Sequence, residues 1–263
     1  MYLLFNLIPS LASVLSGGEL ALFFKLLFQF WYFYLSKKLL SSKKIMRFDL
    51  HFKNKNFSLY LKSLHDLAAL KEVFLLEEYN WIPMEDPKII LDLGAHYGDT
   101  TLYYHVLFPD AHIYAVEPAP DTFERLSKNV QGIANITPVH AGIADRNGQA
   151  DLNLTKSSLG NSLKKRDTTE RTVSVPVHTL RSLMEKYGIP KADIIKFDIE
   201  GSEEYLFASG KPQEFSRAYI GEVHADLIKD VDAFLANFKD FKVERQPLSN
   251  AKRSIIKALE IEA

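Results

Sequence analysis

Apolar residues in the middle of the chain recur first with the spacing of a buried strand and then with that of a helix. Ile89 to Leu93 is a short apolar run that ends at Gly94, which is typical of a buried parallel strand. Thr100 to Phe108 is apolar at helical spacing, and Ile113 to Val116 predicts a second strand that ends at Glu117. Parallel pairing of these strands requires a right-handed crossover, so the stretch predicts a strand, turn, helix, strand unit.

The alternation of strands and helices continues toward the C-terminus, which predicts an α/β fold. Helices are predicted for Thr122 to Val130, Thr179 to Tyr187 and Asp226 to Phe238, and strands for Ile136 to His140, Ala150 to Leu154, Arg171 to Val177, Ala192 to Phe197, Arg217 to His224, Phe241 to Glu244 and Ser254 to Ile261. Asp121 is the predicted N-cap of the first of these helices. Thr155 to Glu170 is rich in Ser, Lys, Asn and Thr, so we expect a mobile loop that closes over substrate.

The N-terminal segment, residues 1–43, is strongly apolar, most densely from Ala21 to Leu35. This run is short and contains Lys25, so it is a poor membrane-spanning helix, and the features of a secretory signal are missing. Basic residues follow it, and residues 19–47 therefore fit a helix at an anionic membrane interface. A helical pair that packs on the catalytic domain or on a second copy fits equally well. Both interpretations stay open. We expect a cytoplasmic protein, and both its association with a membrane and its assembly into a homo-oligomer stay open.

The composition narrows the class of protein. With 263 residues and 47% hydrophobic residues, the chain can fill one substantial α/β core and an appendage. The 32 Lys and Arg against 33 Asp and Glu show no basic excess, so nucleic acid is not the expected partner. The absence of cysteine excludes a disulfide framework, a thiolate zinc site, an iron–sulfur cluster and a thiol nucleophile.

The turn after the first central strand indicates a nucleoside ligand. Gly94 and Gly98 let the backbone approach a ligand closely, and the following helix offers free N–H groups. Glu117 follows Gly94 at close to the roughly 20-residue offset at which an acidic strand end binds ribose hydroxyls. The glycine spacing is not the G-x-G-x-x-G of pyrophosphate binding, and no phosphate-binding P-loop motif occurs. A cofactor with ribose but no phosphate fits better, which points to S-adenosylmethionine.

Three segments resemble the signature segments of the FkbM-type methyltransferases. They are Leu91-Asp92-Leu93-Gly94-Ala95 with Gly98, then Val116-Glu117-Pro118, and most specifically Ile195-Lys196-Phe197-Asp198-Ile199-Glu200-Gly201-Ser202-Glu203. The resemblance covers about residues 70–225. It implies a Rossmann-like class I methyltransferase fold, with a mostly parallel seven-stranded sheet and helices on both faces, and S-adenosylmethionine as the cofactor.

The segment before this core has its own pattern. Alternating apolar residues from Ile45 to Leu61 predict a hairpin with a polar turn, and Leu64 to Tyr79 predicts an amphipathic helix. In the FkbM-type family such a segment precedes the core, and a tyrosine like Tyr79 sits before the first strand. We therefore expect three parts: the apolar segment 1–43, a cover over the cleft in residues 44–85, and the methyltransferase domain in residues 86–263. Plain core packing is the alternative for Tyr79.

The resemblance and the strand ends together suggest the cofactor contacts. The predicted contacts are Asp92, Gly94, Ala95, Gly98, Thr100, Glu117, Asp145 and Asp198. Asp145 matches a position at which related methyltransferases place an acid near the adenine amino group. A turn before Asn147-Gly148 explains Asp145 equally well.

Charged pairs at the ends of two later strands are the catalytic candidates. Side chains two apart on a strand share a face, which places Lys196 with Asp198 and Glu222 with His224. We predict His224 as the general base, Glu222 as the residue that orients it, and Asp198 as the residue that positions substrate or cofactor. A structural ion pair between Lys196 and Glu222 is the alternative.

The helix that follows adds further carboxylates. Lys196 and Glu200 are the predicted substrate contacts, and Glu203 is expected to cap the helix. No H-E-x-x-H or similarly spaced metal motif occurs, so no residue is assigned to a metal and metal dependence stays open.

The predicted function is S-adenosylmethionine-dependent O-methyl transfer. Base-directed amine methyltransferases carry an Asn-Pro-Pro-aromatic turn where this chain has Asp198-Ile199-Glu200-Gly201, and oxygen is also the target that the FkbM resemblance implies. The expected acceptor is a small molecule or glycan: a sugar, a glycolipid or a secondary metabolite. A nucleotide-binding oxidoreductase and a catalytically silent S-adenosylmethionine-binding scaffold are the alternatives.

Overall fold

The computed structural model describes residues 31, 35, 45–53, 55–155, 158–165, 167–248 and 252–261. The prediction for the apolar segment 1–43 therefore lies outside the described residues, apart from two positions. Within the described ranges, no helix is long and apolar enough to cross a membrane. The chain divides into two compact units, one that ends at Glu78 and one that begins at Tyr79.

The first unit contains the predicted hairpin and helix. Strands β1 (Met46–Phe52) and β2 (Lys55–Leu61) pair antiparallel, which confirms the hairpin. Helix α1 (Leu64–Phe74) begins with a capping box in which Ser63 and Asp66 exchange side-chain to backbone hydrogen bonds. The helix was expected to reach Tyr79, but it ends earlier, and Glu77 has a φ of 47° that no helix accommodates.

The second unit is built on a seven-stranded, mostly parallel sheet. Its members are β3 (Ile89–Leu93), β4 (His112–Glu117), β5 (Ile136–His140), β9 (Ala192–Phe197), β10 (Ser216–His224), β11 (Phe241–Pro247) and β12 (Arg253–Glu260), in the order β11-β12-β10-β9-β3-β4-β5. Strands β10, β9, β3, β4 and β5 run parallel, while β12 pairs antiparallel with β10 and with β11. This arrangement confirms the predicted class I methyltransferase fold.

The strand order reverses direction at β3, and this reversal fixes where a ligand can bind. From β3 the chain crosses to β4 and then to β5 on one side, and it later returns to β9 on the other side of β3. Helices diverge from such a point, so a crevice opens beyond the carboxyl ends of the strands. The ends of β3, β4 and β9 therefore frame the candidate site.

Five helices lie between or after these strands in the second unit, as far as it is described: α2 (Asp99–Leu107), α3 (Pro120–Asn129), α4 (Leu180–Lys186), α5 (Pro212–Phe215) and α6 (Val231–Leu235). The predicted N-cap of α3 is wrong, because Ala119 is the N-cap and Pro120 occupies the first helical position, which suits its fixed φ. The long predicted C-terminal helix is also wrong. Asp230 caps α6 through Ala233 N–H, and α6 continues only as a 3₁₀ turn over Ala236–Phe238.

A small second sheet lies between β5 and α4 in the chain. Strands β6 (Gly142–Ile143), β7 (Gly148–Thr155) and β8 (Thr169–His178) form it in the order β6-β8-β7. The predicted pair of strands is confirmed and longer than expected, whereas β6 is too short to leave a pattern in the sequence. The loop between β7 and β8 is anchored, because Asn153 and Ser162 exchange backbone hydrogen bonds of 2.8 and 3.0 Å.

Candidate functional site

The candidate site is an open cleft beyond the carboxyl ends of β3, β4 and β9. Gly94 and His96 line it after β3, and Glu117 lines it at the end of β4. Apolar walls come from Ala141, Ile143, Leu152 and Leu163, and polar groups from Ser158, Asn161, Ser162, Asp198 and Glu200. The cleft thus combines an apolar pocket with a few convergent polar groups, as small-molecule sites do.

Gly94 is required by the close approach of two strand ends. A Cβ at this position would lie 1.9 Å from the carbonyl oxygen of Asp198, and the φ of Gly94 is +76°. The N–H groups of Gly94 and Ala95 both donate to the carbonyl of Val116 at 2.9 Å. The turn after β3 is therefore fixed against both neighbouring strands.

A buried ionic network lies beneath this turn. Lys196 Nζ lies 3.1 Å from Asp92 Oδ1 and donates to the Gly94 carbonyl at 2.8 Å. Asp92 Oδ2 accepts hydrogen bonds from the hydroxyls of Thr100 and Thr101 at 2.8 and 2.6 Å. Burial disfavours the charged amine, but the carboxylates of Asp92, Asp198 and Asp99 together outweigh it and raise the pKa of Lys196. Lys196 therefore remains a cation inside the protein.

This network changes the roles expected from the sequence. Lys196 pairs with Asp92 and not with Glu222, so the suggested structural pair is wrong. Of the predicted cofactor contacts, Gly94, Glu117 and Asp198 line the cleft, whereas Asp92, Ala95, Gly98 and Thr100 fall outside its described lining. Lys196, the expected substrate contact, is likewise only 2% exposed behind the turn. A charge on a central strand must be paired within the protein, and that need explains the placement of Asp92 and Lys196.

Glu117 projects into the cleft from the end of β4. Its Oε2 accepts a hydrogen bond from the His96 N–H at 3.1 Å, and its Oε1 accepts one from the Ala119 N–H at 2.9 Å. Burial raises the pKa of Glu117 to about 7, although His96 and the two N–H groups favour the carboxylate. Each carboxylate oxygen has a second lone pair, so Glu117 can still accept hydrogen bonds from a ribose diol.

Asp145 lies outside the described lining of the cleft. It is exposed in the bend before β7, and its Oδ1 accepts from Arg146 at 3.1 Å. Asn147 in the same bend accepts from the Thr179 N–H at 3.0 Å. This placement favours the turn interpretation over a contact with adenine.

A buried histidine lies next to Asp198 and Glu200 and is surrounded by carboxylates. His224 at the end of β10 is fully buried, and its Nδ1 lies 2.8 Å from Glu203 Oε1. Its Nε2 lies 3.4 Å from Glu200 Oε2, 3.7 Å from Glu222 Oε1 and 3.8 Å from Asp198 Oδ1. Four carboxylates, three from the stretch that follows β9 and one from β10, thus converge on one imidazole.

The electrostatics of this cluster argue against His224 as a base. Burial opposes a charged imidazole, but the carboxylates of Glu200 and Glu203 outweigh it and raise the pKa of His224 to about 11. Burial, followed by the charge of Asp198, raises the pKa of Glu222 to about 8. A group that already holds its proton at neutral pH cannot accept another, so the predicted role of His224 as general base does not fit this arrangement.

Two residues of the cluster have roles that the sequence did not indicate. Glu203, expected as a helix cap, is the residue that holds His224 Nδ1, a role predicted for Glu222. The turn at Gly201, with a φ of 95°, brings Glu203 back toward β10. Tyr79, for which core packing was the alternative, is buried, and its hydroxyl donates to Asp198 Oδ2 at 3.4 Å.

Comparison with known proteins gives consistent results. Residues 92–243 match the model of the methyltransferase FkbM domain. Hexuronic acid methyltransferase AglP of Haloferax volcanii is 27% identical over 181 residues, which cover 67% of this chain and 72% of AglP. The 2-O-methyltransferase NoeI of Sinorhizobium fredii is 25% identical over 157 residues, which cover 54% of this chain and 64% of NoeI. The structure of Aeropyrum pernix fibrillarin with bound S-adenosyl-L-methionine aligns over 83% of both chains with 16% identity and a TM-score of 0.45, too low to carry an argument.

Removal of the buried cation tests the network beneath the turn. Lys196→Met leaves the Asp92 carboxylate buried beside an apolar side chain, so we expect a loss of about 3–5 kcal/mol in the free energy of unfolding. Denaturant unfolding measures this change in the free energy of unfolding. Lys196→Met combined with Asp92→Asn is the control and should recover much of the loss. A single variant as stable as the wild type would contradict the ion pair.

The ionisation of Glu117 should control cofactor affinity. The carboxylate is the form that accepts from both ribose hydroxyls, and with a pKa of about 7 it is lost as the pH falls. We expect the affinity for S-adenosylmethionine to fall by up to about tenfold between pH 8 and pH 6, as titration calorimetry can show. Glu117→Gln should bind more weakly at both pH values and lose this dependence. The same pH dependence in the variant would assign it to another group.

Proposed function

Since this chain belongs to the FkbM family of S-adenosylmethionine-dependent methyltransferases, we propose that it methylates a hydroxyl oxygen of a sugar or sugar-containing acceptor. The names of two relatives support this choice, one a hexuronic acid methyltransferase and the other a 2-O-methyltransferase. The observation that carries the proposal is the pair of carboxylates, Asp198 and Glu200, in the same cleft as Glu117. Membership of the family sets the oxidoreductase alternative aside.

The residues of the cleft fit the nucleoside part of S-adenosylmethionine. Glu117 keeps lone pairs for the ribose hydroxyls, and Gly94 allows the close approach of a ligand to the backbone. Apolar side chains such as Ile143 and Leu163 offer surface to the adenine. When bound there, the cofactor supplies an electrophilic methyl group on a positively charged sulfur.

The acceptor belongs beside Asp198 in this proposal. Asp198 follows β9 directly, its side chain is 30% exposed, and it lines the cleft together with Glu200. A carboxylate there can accept the hydrogen bond of a hydroxyl group, hold its oxygen in line for methyl transfer, and take its proton. His224, protonated and fully buried, balances the negative charge behind these two carboxylates.

The N-terminal segment leaves the acceptor class open between soluble sugars and lipid-linked glycans. Contact of residues 19–47 with a membrane, and assembly into a homo-oligomer, remain predictions. The acceptor screen therefore includes free hexuronic acids, neutral sugars, glycolipids in detergent and hydroxylated secondary metabolites.

Transfer of a labelled methyl group tests the function. Full-length protein is incubated with methyl-labelled S-adenosylmethionine and each acceptor of the screen, and labelled product is identified by mass spectrometry. We expect label on a sugar hydroxyl. Label on nitrogen, or on a non-sugar acceptor only, would contradict the proposal.

Asp198→Asn separates the role of Asp198 toward the acceptor from a role toward the cofactor. We expect kcat to fall by about 10²–10⁴-fold while the affinity for S-adenosylmethionine changes little, because the amide cannot take the hydroxyl proton. Asp110→Asn is the matched control. Asp110 is exposed just before the amino end of β4, whereas the cleft lies beyond the carboxyl ends of the strands. An equal loss of cofactor affinity in Asp198→Asn would assign Asp198 to the cofactor.

A further inference from the structure

The carboxylates beside His224 are arranged as ligands and not only as neighbours. Each of three residues, Asp198, Glu200 and His224, offers one possible ligand atom. These three atoms lie within 4.8 Å of one another. Asp198 and Glu200 line the cleft, and His224 lies buried next to them at the end of β10. Asp198 and Glu200 follow the end of β9, and His224 ends β10, the parallel neighbour of β9.

Several atoms that face this point lack a hydrogen bond. In the described part of the chain, His224 Nε2 and Asp198 Oδ1 are buried atoms with no hydrogen-bond partner, and Glu222 Oε1 has an ion-pair contact with Arg253 at 3.3 Å. His224 is fully buried and Glu222 is 6% exposed. Buried polar groups are nearly always satisfied, so two such atoms that face each other at 3.8 Å, His224 Nε2 and Asp198 Oδ1, indicate a missing ligand.

The other ring nitrogen of His224 is already held. Glu203 accepts from Nδ1 at 2.8 Å, and neither group is exposed to solvent. A carboxylate on one imidazole nitrogen fixes the orientation of the ring and directs the other nitrogen toward the metal, as in carboxylate–histidine–metal arrangements. Glu203 thus prepares His224 Nε2 to bind a cation.

From these observations we infer that Asp198, Glu200 and His224 bind a divalent metal ion at the acceptor end of the cleft, with Glu222 as a further carboxylate ligand.

The distances suit such a site. Ligands about 2.1–2.5 Å from one cation in octahedral geometry lie about 3.0–3.6 Å apart. His224 Nε2 is 3.4, 3.7 and 3.8 Å from the three carboxylates, so small side-chain movements complete the coordination. The three carboxylates near Nε2 also supply the negative charge that a divalent cation requires.

The donor set indicates which ion is bound. Carboxylate oxygens suit Mg²⁺ and Mn²⁺, and a single imidazole is compatible with Mn²⁺. An ion held by Asp198 and Glu200 has open positions toward the cleft, where two neighbouring hydroxyls of a sugar can bind and be oriented. This catalytic consequence rests on the proposed function, whereas the metal site itself does not.

Mn²⁺ is the probe for this site, because it gives a paramagnetic resonance signal. Full-length protein is titrated with Mn²⁺, the free ion is counted by its resonance spectrum, and pulsed measurements detect ¹⁴N coupling from a bound imidazole. We expect one ion per chain with ¹⁴N coupling. His224→Gln should lose the coupling and bind at least about tenfold more weakly, while Asp110→Asn should match the wild type.

The outcomes separate this inference from the proposed function, since Mn²⁺ binding requires neither acceptor nor methyl transfer. No bound Mn²⁺ in the wild type, or ¹⁴N coupling that persists in His224→Gln, overturns the site. If His224→Gln does not fold, Asp198→Asn and Glu200→Gln are used, and unchanged Mn²⁺ affinity in both overturns it as well. Bound Mn²⁺ without sugar methylation supports the site and counts against the function alone.

Discussion

The ion pair between Asp92 and Lys196 is the interaction on which the rest of the site depends. It joins the two central strands, β3 and β9, and through the Gly94 carbonyl it also holds the turn on which the cofactor would rest. The desolvation of two buried charges is costly, and the hydroxyls of Thr100 and Thr101 offset it by satisfying the carboxylate. The start of α2 is thereby tied to the same pair.

In the second unit, the buried cation and the acidic cluster lie in different places. Lys196 lies behind the glycine turn, where a carbonyl and a carboxylate surround it, while the acidic side chains gather past the ends of β9 and β10. Arg253, 3.3 Å from Glu222 on the antiparallel neighbour β12, contributes positive charge to the acidic side. Burial and, after it, the charge of Asp198 raise the pKa of Glu222 to about 8 on this side.

The central strands could be predicted well because they are continuous apolar runs. Strands β5 and β9 have the predicted bounds, and Gly94, Glu117 and Asp198 fall in the cleft as the motif spacing indicated. The partners of charged groups could not be predicted, since Lys196 had carboxylates within reach on either side and only the strand order selects Asp92. Glu203 was misassigned for a similar reason: its contact with His224 depends on a left-handed turn at Gly201 that no periodicity reveals.

Because of the small sheet of β6, β7 and β8, the residues that line the cleft come from two parts of the chain. The floor and the Glu117 side belong to the parallel sheet, whereas Ser158, Asn161 and Leu163 come from the loop that joins β7 to β8. That loop is fastened at its base by Asn153 and Ser162, so its sequence can vary without disturbing the strands that carry the fold. The architecture therefore permits this wall of the cleft to diversify in evolution while the strand ends that carry Glu117 and Asp198 stay the same.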